Sequence, residues 1–216
     1  MTLRPLLFPA VLVFTLAATG CASTKSTPLA ADSQPPAHTE EQLCRRSADG
    51  QLRELQPGEA CLAPVTASFW LSRVAVRAQQ GEKYCVSVPL AQTWLDASII
   101  NTPPHGSKGS LLMNVALPLR RHIDADWFVL YGAVVADDVA STDEYSSVNL
   151  EQNTCFDIPS TPKPATLAFY PNDAHGFYWN NHGRVWIWIS RCDSGAQGAH
   201  CPAANTTSLA HAPAWK

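Results

Sequence analysis

Between residues 65 and 191 apolar side chains recur at every second position in short runs, and turn formers separate the runs. Val74, Val76 and Ala78 alternate with Arg73, Arg77 and Gln79, and Tyr84, Val86 and Val88 repeat the period before Pro89. That period puts one face of a strand inward and the other toward water. Leu111 to Leu117 is a third candidate strand, and Thr154 to Ile158, Thr166 to Tyr170 and Val185 to Ser190 are others. Trp127 to Ala136 is apolar on both faces, as in a central strand of a two-layer structure or in a buried helix. With 17 prolines in the chain, long helices are disfavoured. The pattern predicts an all-β domain over residues 65–191, a single antiparallel β-sandwich.

The start of the chain follows a different pattern. Arg4 precedes an apolar run from Leu6 to Ala18, and small residues follow, which predicts a signal peptide over residues 1–20. Ala18-Thr19-Gly20-Cys21 resembles a lipobox, which makes Cys21 the expected lipidated first residue of the mature chain. Ala22 after it resembles the outer-membrane sorting class, so the expected location is the cell envelope, with a membrane attachment through lipid. Residues 21–43 are rich in Ser, Thr, Pro and Ala and poor in large apolar groups, and predict a flexible tether.

Six of the seven cysteines lie beyond Cys21, and an even count in an exported chain predicts disulfides. Six cysteines allow fifteen pairings. Loop length favours Cys44–Cys61, closing an N-terminal segment over 44–64, and Cys192–Cys201, closing a loop at the start of a 192–216 tail. Cys85 and Cys155 are left to join two strands. Zinc is the rival use of these residues, but the chain has no C-x-x-C pair and its histidines are scattered.

Charge and motifs narrow the function classes. The net charge is −3 with no basic stripe, so nucleic acid is not an expected partner. There is no G-x-S-x-G elbow, phosphate loop or HExxH, and no enzyme is expected. Asp137-Asp138 and Asp143-Glu144 are paired carboxylates, but they follow a strand in a polar segment and read as a solvated loop.

One stretch carries candidate chemistry. Tyr170 to Arg191 holds Asn172-Asp173, Gly176, Asn180-Asn181 and Gly183 between two predicted strands. A carboxylate and side-chain amides on a tight loop are hard oxygen donors, the kind calcium selects, and a polar hairpin loop without an ion is the plainer alternative. Asn180 and Asn181 are adjacent, so both can reach one ion only if the backbone turns between them.

The spacing N-D-x-x-G-x-Y-x-N-N-x-G resembles the calcium site of the PA-IL-type galactose-binding lectins of bacteria. Asn172, Asp173, Gly176, Tyr178, Asn180, Asn181 and Gly183 stand at the matching positions. The resemblance spans residues 65–191 and implies a jelly-roll, galactose-binding-like sandwich. It implies a calcium shell of Asp173, Asn180, Asn181, the Phe177 carbonyl and the carbonyl of a distant aromatic residue, here Trp94, completed by two sugar hydroxyls. It also implies sugar contacts from the Ile99–Gly109 loop, where His105 and Lys108 stand. Trp179 and His182 replace small residues of the family, and Trp179 becomes a candidate wall for a sugar ring. The expectation is a lipid-anchored protein that binds a galactose-like carbohydrate through calcium. The alternative is a structural or assembly lipoprotein whose sandwich binds protein partners without calcium.

Overall fold

The computed structural model describes residues 35–89, 92–96, 99–151, 155–193 and 201. The expected signal peptide, Cys21 with most of the expected tether, and the residues beyond Cys201 lie outside the described residues.

The chain folds into an all-β sandwich. In chain order its elements are β1 (Ala60–Thr66), β2 (Ser72–Ala78), β3 (Lys83–Ser87), β4 (Trp94–Asp96), β5 (Ile99–Thr102), β6 (His105–Ser107) and the short helix α1 (Leu111–Val115). Then follow β7 (Trp127–Ala136), β8 (Glu144–Asn149), β9 (Cys155–Asp157), β10 (Ala165–Pro171), β11 (Asn181–His182) and β12 (Arg184–Arg191). One sheet runs β1-β12-β3-β9, a second runs β2-β10-β7-β6 with β8 also paired to β7, and a small third sheet runs β11-β4-β5. Every pairing between these strands is antiparallel.

The alternation read from the sequence decides which faces meet. Cys61, Ala63 and Val65 of β1, Val74 and Val76 of β2 and Val185, Ile187 and Ile189 of β12 share one core with Phe128, Leu130 and Val134 of β7 and Leu167 and Phe169 of β10. β7 is buried along its whole length. Its other face, Val129, Tyr131, Ala133 and Val135, packs with Ala168, Tyr170 and Tyr178 in a second cluster. That explains a run apolar on both faces: it is the central strand, covered on the outside as well.

Leu111–Leu117 is not a strand. Residues 111–115 form α1, and Leu117–Leu119 form a 3₁₀ turn. Ser110 caps the helix, its Oγ accepting from the Met113 N–H at 3.3 Å, and Leu111 and Val115 stay exposed. The Ser110 cap satisfies a free N–H of the first turn and so favours helix here. Asp143-Glu144 is likewise not a solvated loop as a pair. Glu144 opens β8, and its carboxylate meets Arg121 and the Tyr170 hydroxyl.

The first sheet also draws on the N-terminal segment. β1 begins at Ala60, and Leu43, the last residue of the expected tether, is buried and bridges to Leu62. The three disulfides are Cys44–Cys61, Cys85–Cys155 and Cys192–Cys201. Cys85 and Cys155 face each other across β3 and β9.

Candidate metal centre

The loop from Asn172 to Asn180 joins β10 to β11, and its shape is fixed from below. Asn172 is wholly buried and is a tie rather than a ligand. Its Nδ2 donates to the carbonyls of His122 at 2.9 Å and Asp126 at 3.0 Å, while its Oδ1 accepts from the His122 N–H at 2.9 Å. Those bonds strap the 119–126 segment across the loop, together with Arg121 N–H to the Asp173 carbonyl and His175 N–H to the Leu119 carbonyl, each 2.9 Å. Tyr178 is buried, and its hydroxyl donates to the Pro171 carbonyl at 2.8 Å.

The backbone turns where the sequence requires it. Tyr178–Asn180 is a 3₁₀ turn, and Asn181 next to it is extended, with φ −81° and ψ 147°. Asn180 and Asn181 therefore leave a bend rather than a straight strand, and both amides reach a carboxylate. Gly183 follows at φ +91°, a region open to glycine and strained for other residues. Trp94 of β4 passes behind it, with its Cα 3.5 Å from where a Cβ would stand.

Asp173 and Asn181 are bonded directly, Asn181 Nδ2 donating to Asp173 Oδ2 at 2.8 Å. Asp173 Oδ1 accepts from the Ala174 N–H at 2.6 Å. The second amide meets a carboxylate that sequence reasoning missed: Asn180 Nδ2 donates to Asp96 Oδ1 at 3.2 Å. Asp96 is buried at the end of β4 and is the direct cross-strand partner of Asn181. The one cue in the sequence was an acidic residue in phase with Trp94, at the inward position of an alternating run.

Two carboxylates in one buried place disfavour charge. Burial pushes the Asp96 carboxyl up to about 6, with the nearby Asp173 adding to the shift. Burial also raises Asp173, opposed by the Asn181 amide and the Ala174 N–H. The amides meanwhile leave their oxygens without donors: Asn180 Oδ1 and Asn181 Oδ1 are both buried and unpaired. A buried polar atom left unpaired costs about 1–3 kcal/mol. Turning either amide over would set its oxygen against a carboxylate. A hard divalent cation among these groups removes both conflicts, since it takes carboxylate and amide oxygens together. The residues present fit calcium in that sense.

The other residues expected from the resemblance are placed as follows. The Phe177 carbonyl accepts from the Asn180 N–H at 3.1 Å and keeps a second lone pair, and the Phe177 side chain is exposed. Trp94 is buried, one strand from the loop through the β4–β11 pairing. Trp179 projects from the 3₁₀ turn with 76% of its surface exposed, between buried Tyr178 and Asn180. His105 is exposed on β6, in the second sheet, opposite Val129. Lys108 is exposed and paired to Asp126 at 3.0 Å. Among the described residues no hydrogen bond or ion pair joins His105 or Lys108 to Asp96, Asp173, Asn180 or Asn181. A cleft of about 260 Å³ lined by Gln79, Gln80, Glu82, Lys83 and Arg191 shares no residue with the cluster.

No protein-family model matches the chain, and no curated protein matches it.

Proposed function

We propose that this protein binds carbohydrate of the galactose type through a calcium ion held by the β10–β11 loop. The supporting observation is the pair of buried amide oxygens, Asn180 Oδ1 and Asn181 Oδ1, left without donors beside buried carboxylates. Asp173, Asn180 and Asn181 hold the ion, with the carbonyls of Phe177 and Trp94 as further donors. Calcium takes roughly six to eight oxygens, so positions remain for two vicinal hydroxyls of a sugar. Trp179, exposed at the rim, offers its face to the apolar side of a pyranose ring. Cys21 carries the lipid that ties the domain to the outer membrane. The test is calorimetric titration of methyl galactoside into the calcium-loaded protein and into the same protein in chelator. Binding only with calcium is the expected result, and no heat in either condition removes the reading.

A second reading is favoured by the surface. Phe69, Phe177, Trp179, Leu119 and Ile123 are all exposed large apolar groups. A structural lipoprotein that docks a protein partner through them needs no calcium, and would show partner binding unchanged by chelator.

A further inference from the structure

The ligand set implied by the resemblance contains one carboxylate, Asp173. The fold supplies another. Asp96 comes from β4, far along the chain, and is brought to the loop by the two-residue ladder in which Asn181 faces Asp96 and His182 faces Leu95. Its carboxylate is not spent on a cation of the protein: none of the ion pairs among the described residues includes Asp96 or Asp173. The hydrogen bond it accepts comes from a neutral amide, Asn180 Nδ2.

We infer that Asp96 is a second carboxylate ligand of the same cation, so that Asp96, Asp173, Asn180 and Asn181 form a shell that neutralises a divalent ion. The inference rests on the calcium reading above and extends it to a residue outside the expected set. Further support comes from Asn181, whose side chain is completely buried, bonded to Asp173 and opposite Asp96, with an amide oxygen that meets no donor. Asp96 and Asp173 are both buried and are linked to the same bend by Asn180 and Asn181. A divalent cation satisfies both carboxylates and both amide oxygens at once.

The consequences are chemical and mechanical. Ligand charge count is a main control of calcium affinity, so a shell with two carboxylates holds the ion at lower free calcium than a shell with one. The ion would also staple β4 to the β10–β11 loop, since its ligands come from both. The small sheet β11-β4-β5 would then be locked by the metal as well as by its short ladder.

The experiment uses the full chain and reads the cation itself, by calcium calorimetry and by Tb³⁺ luminescence excited through tryptophan. The variants are Asp96→Asn and the exchange Asp96→Asn with Asn180→Asp, which reverses the bonded Asn–Asp pair and keeps the carboxylate count. Asp96→Asn is expected to weaken calcium about tenfold or more, and the exchange to recover most of that loss. Asp96→Asn binding calcium as the wild type does, or an exchange variant no better than Asp96→Asn, overturns the inference while the calcium reading stands. A wild-type chain that binds neither calcium nor Tb³⁺ overturns both. If Asp96→Asn does not fold, as judged by circular dichroism, the exchange variant alone decides: near wild-type affinity supports the inference, and loss of binding overturns it.

Discussion

Asn181 lies directly opposite Asp96 in the β11–β4 ladder, and its own amide reaches across to Asp173 at 2.8 Å. One wholly buried asparagine thus stands between two carboxylates from different parts of the chain. The candidate centre depends on that placement.

Asp173→Ala removes the loop carboxylate that bonds Asn181. A ligand that binds only the folded state adds about 2.7 kcal/mol at a hundred times its Kd. Wild type should therefore show a calcium-dependent rise in Tm, and Asp173→Ala should lose it. Thermal melts in calcium and in chelator measure this, and a variant that keeps the full rise rules out Asp173 as a ligand.

Trp179→Ala should separate sugar from metal. The side chain is 76% exposed, so its removal leaves stability within about 0.5 kcal/mol of wild type. Galactoside affinity should fall about tenfold, the scale of one lost stacking contact, while calcium affinity stays the same. A glycan array that shows no calcium-dependent binding by either wild type or Trp179→Ala would leave the structural reading in front.

Gly183→Ala should destabilise the domain by about 1–2 kcal/mol, because a side chain at φ +91° is strained. The added methyl would meet the Trp94 Cα at ordinary contact distance, so strain rather than collision sets the cost. Urea unfolding measures it, and an unchanged midpoint would contradict the backbone assignment.

His122 should make stability fall in mild acid. Its ring is stacked on Tyr131, with centroids 3.9 Å apart and planes 1° apart, and its Nε2 lies 2.9 Å from the Tyr170 hydroxyl. The Tyr170 hydroxyl also reaches Glu144 at 3.2 Å, and Arg121 lies over the Tyr170 ring. Burial first, and Arg121 next, lower the His122 pKa below 6.5. The unfolded chain then binds the proton more readily, so this contribution is intact above pH 6.5 and is lost as pH falls through the folded value. His122→Gln should flatten the decline in Tm between about pH 6.5 and 5 relative to wild type. A variant with the wild-type slope there would show that the decline comes from elsewhere.

Cys21→Ser should yield a protein that leaves the membrane fraction and lacks the mass of a lipid. Fractionation with intact-mass measurement tests this, and a membrane-bound variant of unchanged mass would end the lipobox assignment.

Local pattern located several strands of the sandwich, though β1 and β8 were not among them. The expected runs lie within a few residues of β2, β3, β10 and β12, and the Trp127–Ala136 run, left open between strand and buried helix, is β7. The three disulfides match the pairing favoured by loop length, because short closures leave little choice. A bend at Asn180-Asn181 was expected only on the condition that both amides serve one ion, and the backbone does bend there. What the sequence could not determine was anything decided by pairing at a distance. Leu111–Leu117 has strand-like composition, but residues 111–115 form a helix capped by Ser110. Asp96 is 84 residues from Asn180 and looks like any acid at the end of a strand. The β4–β11 ladder buries it near a second carboxylate, and that burial, with Asp173 nearby, is what raises its pKa.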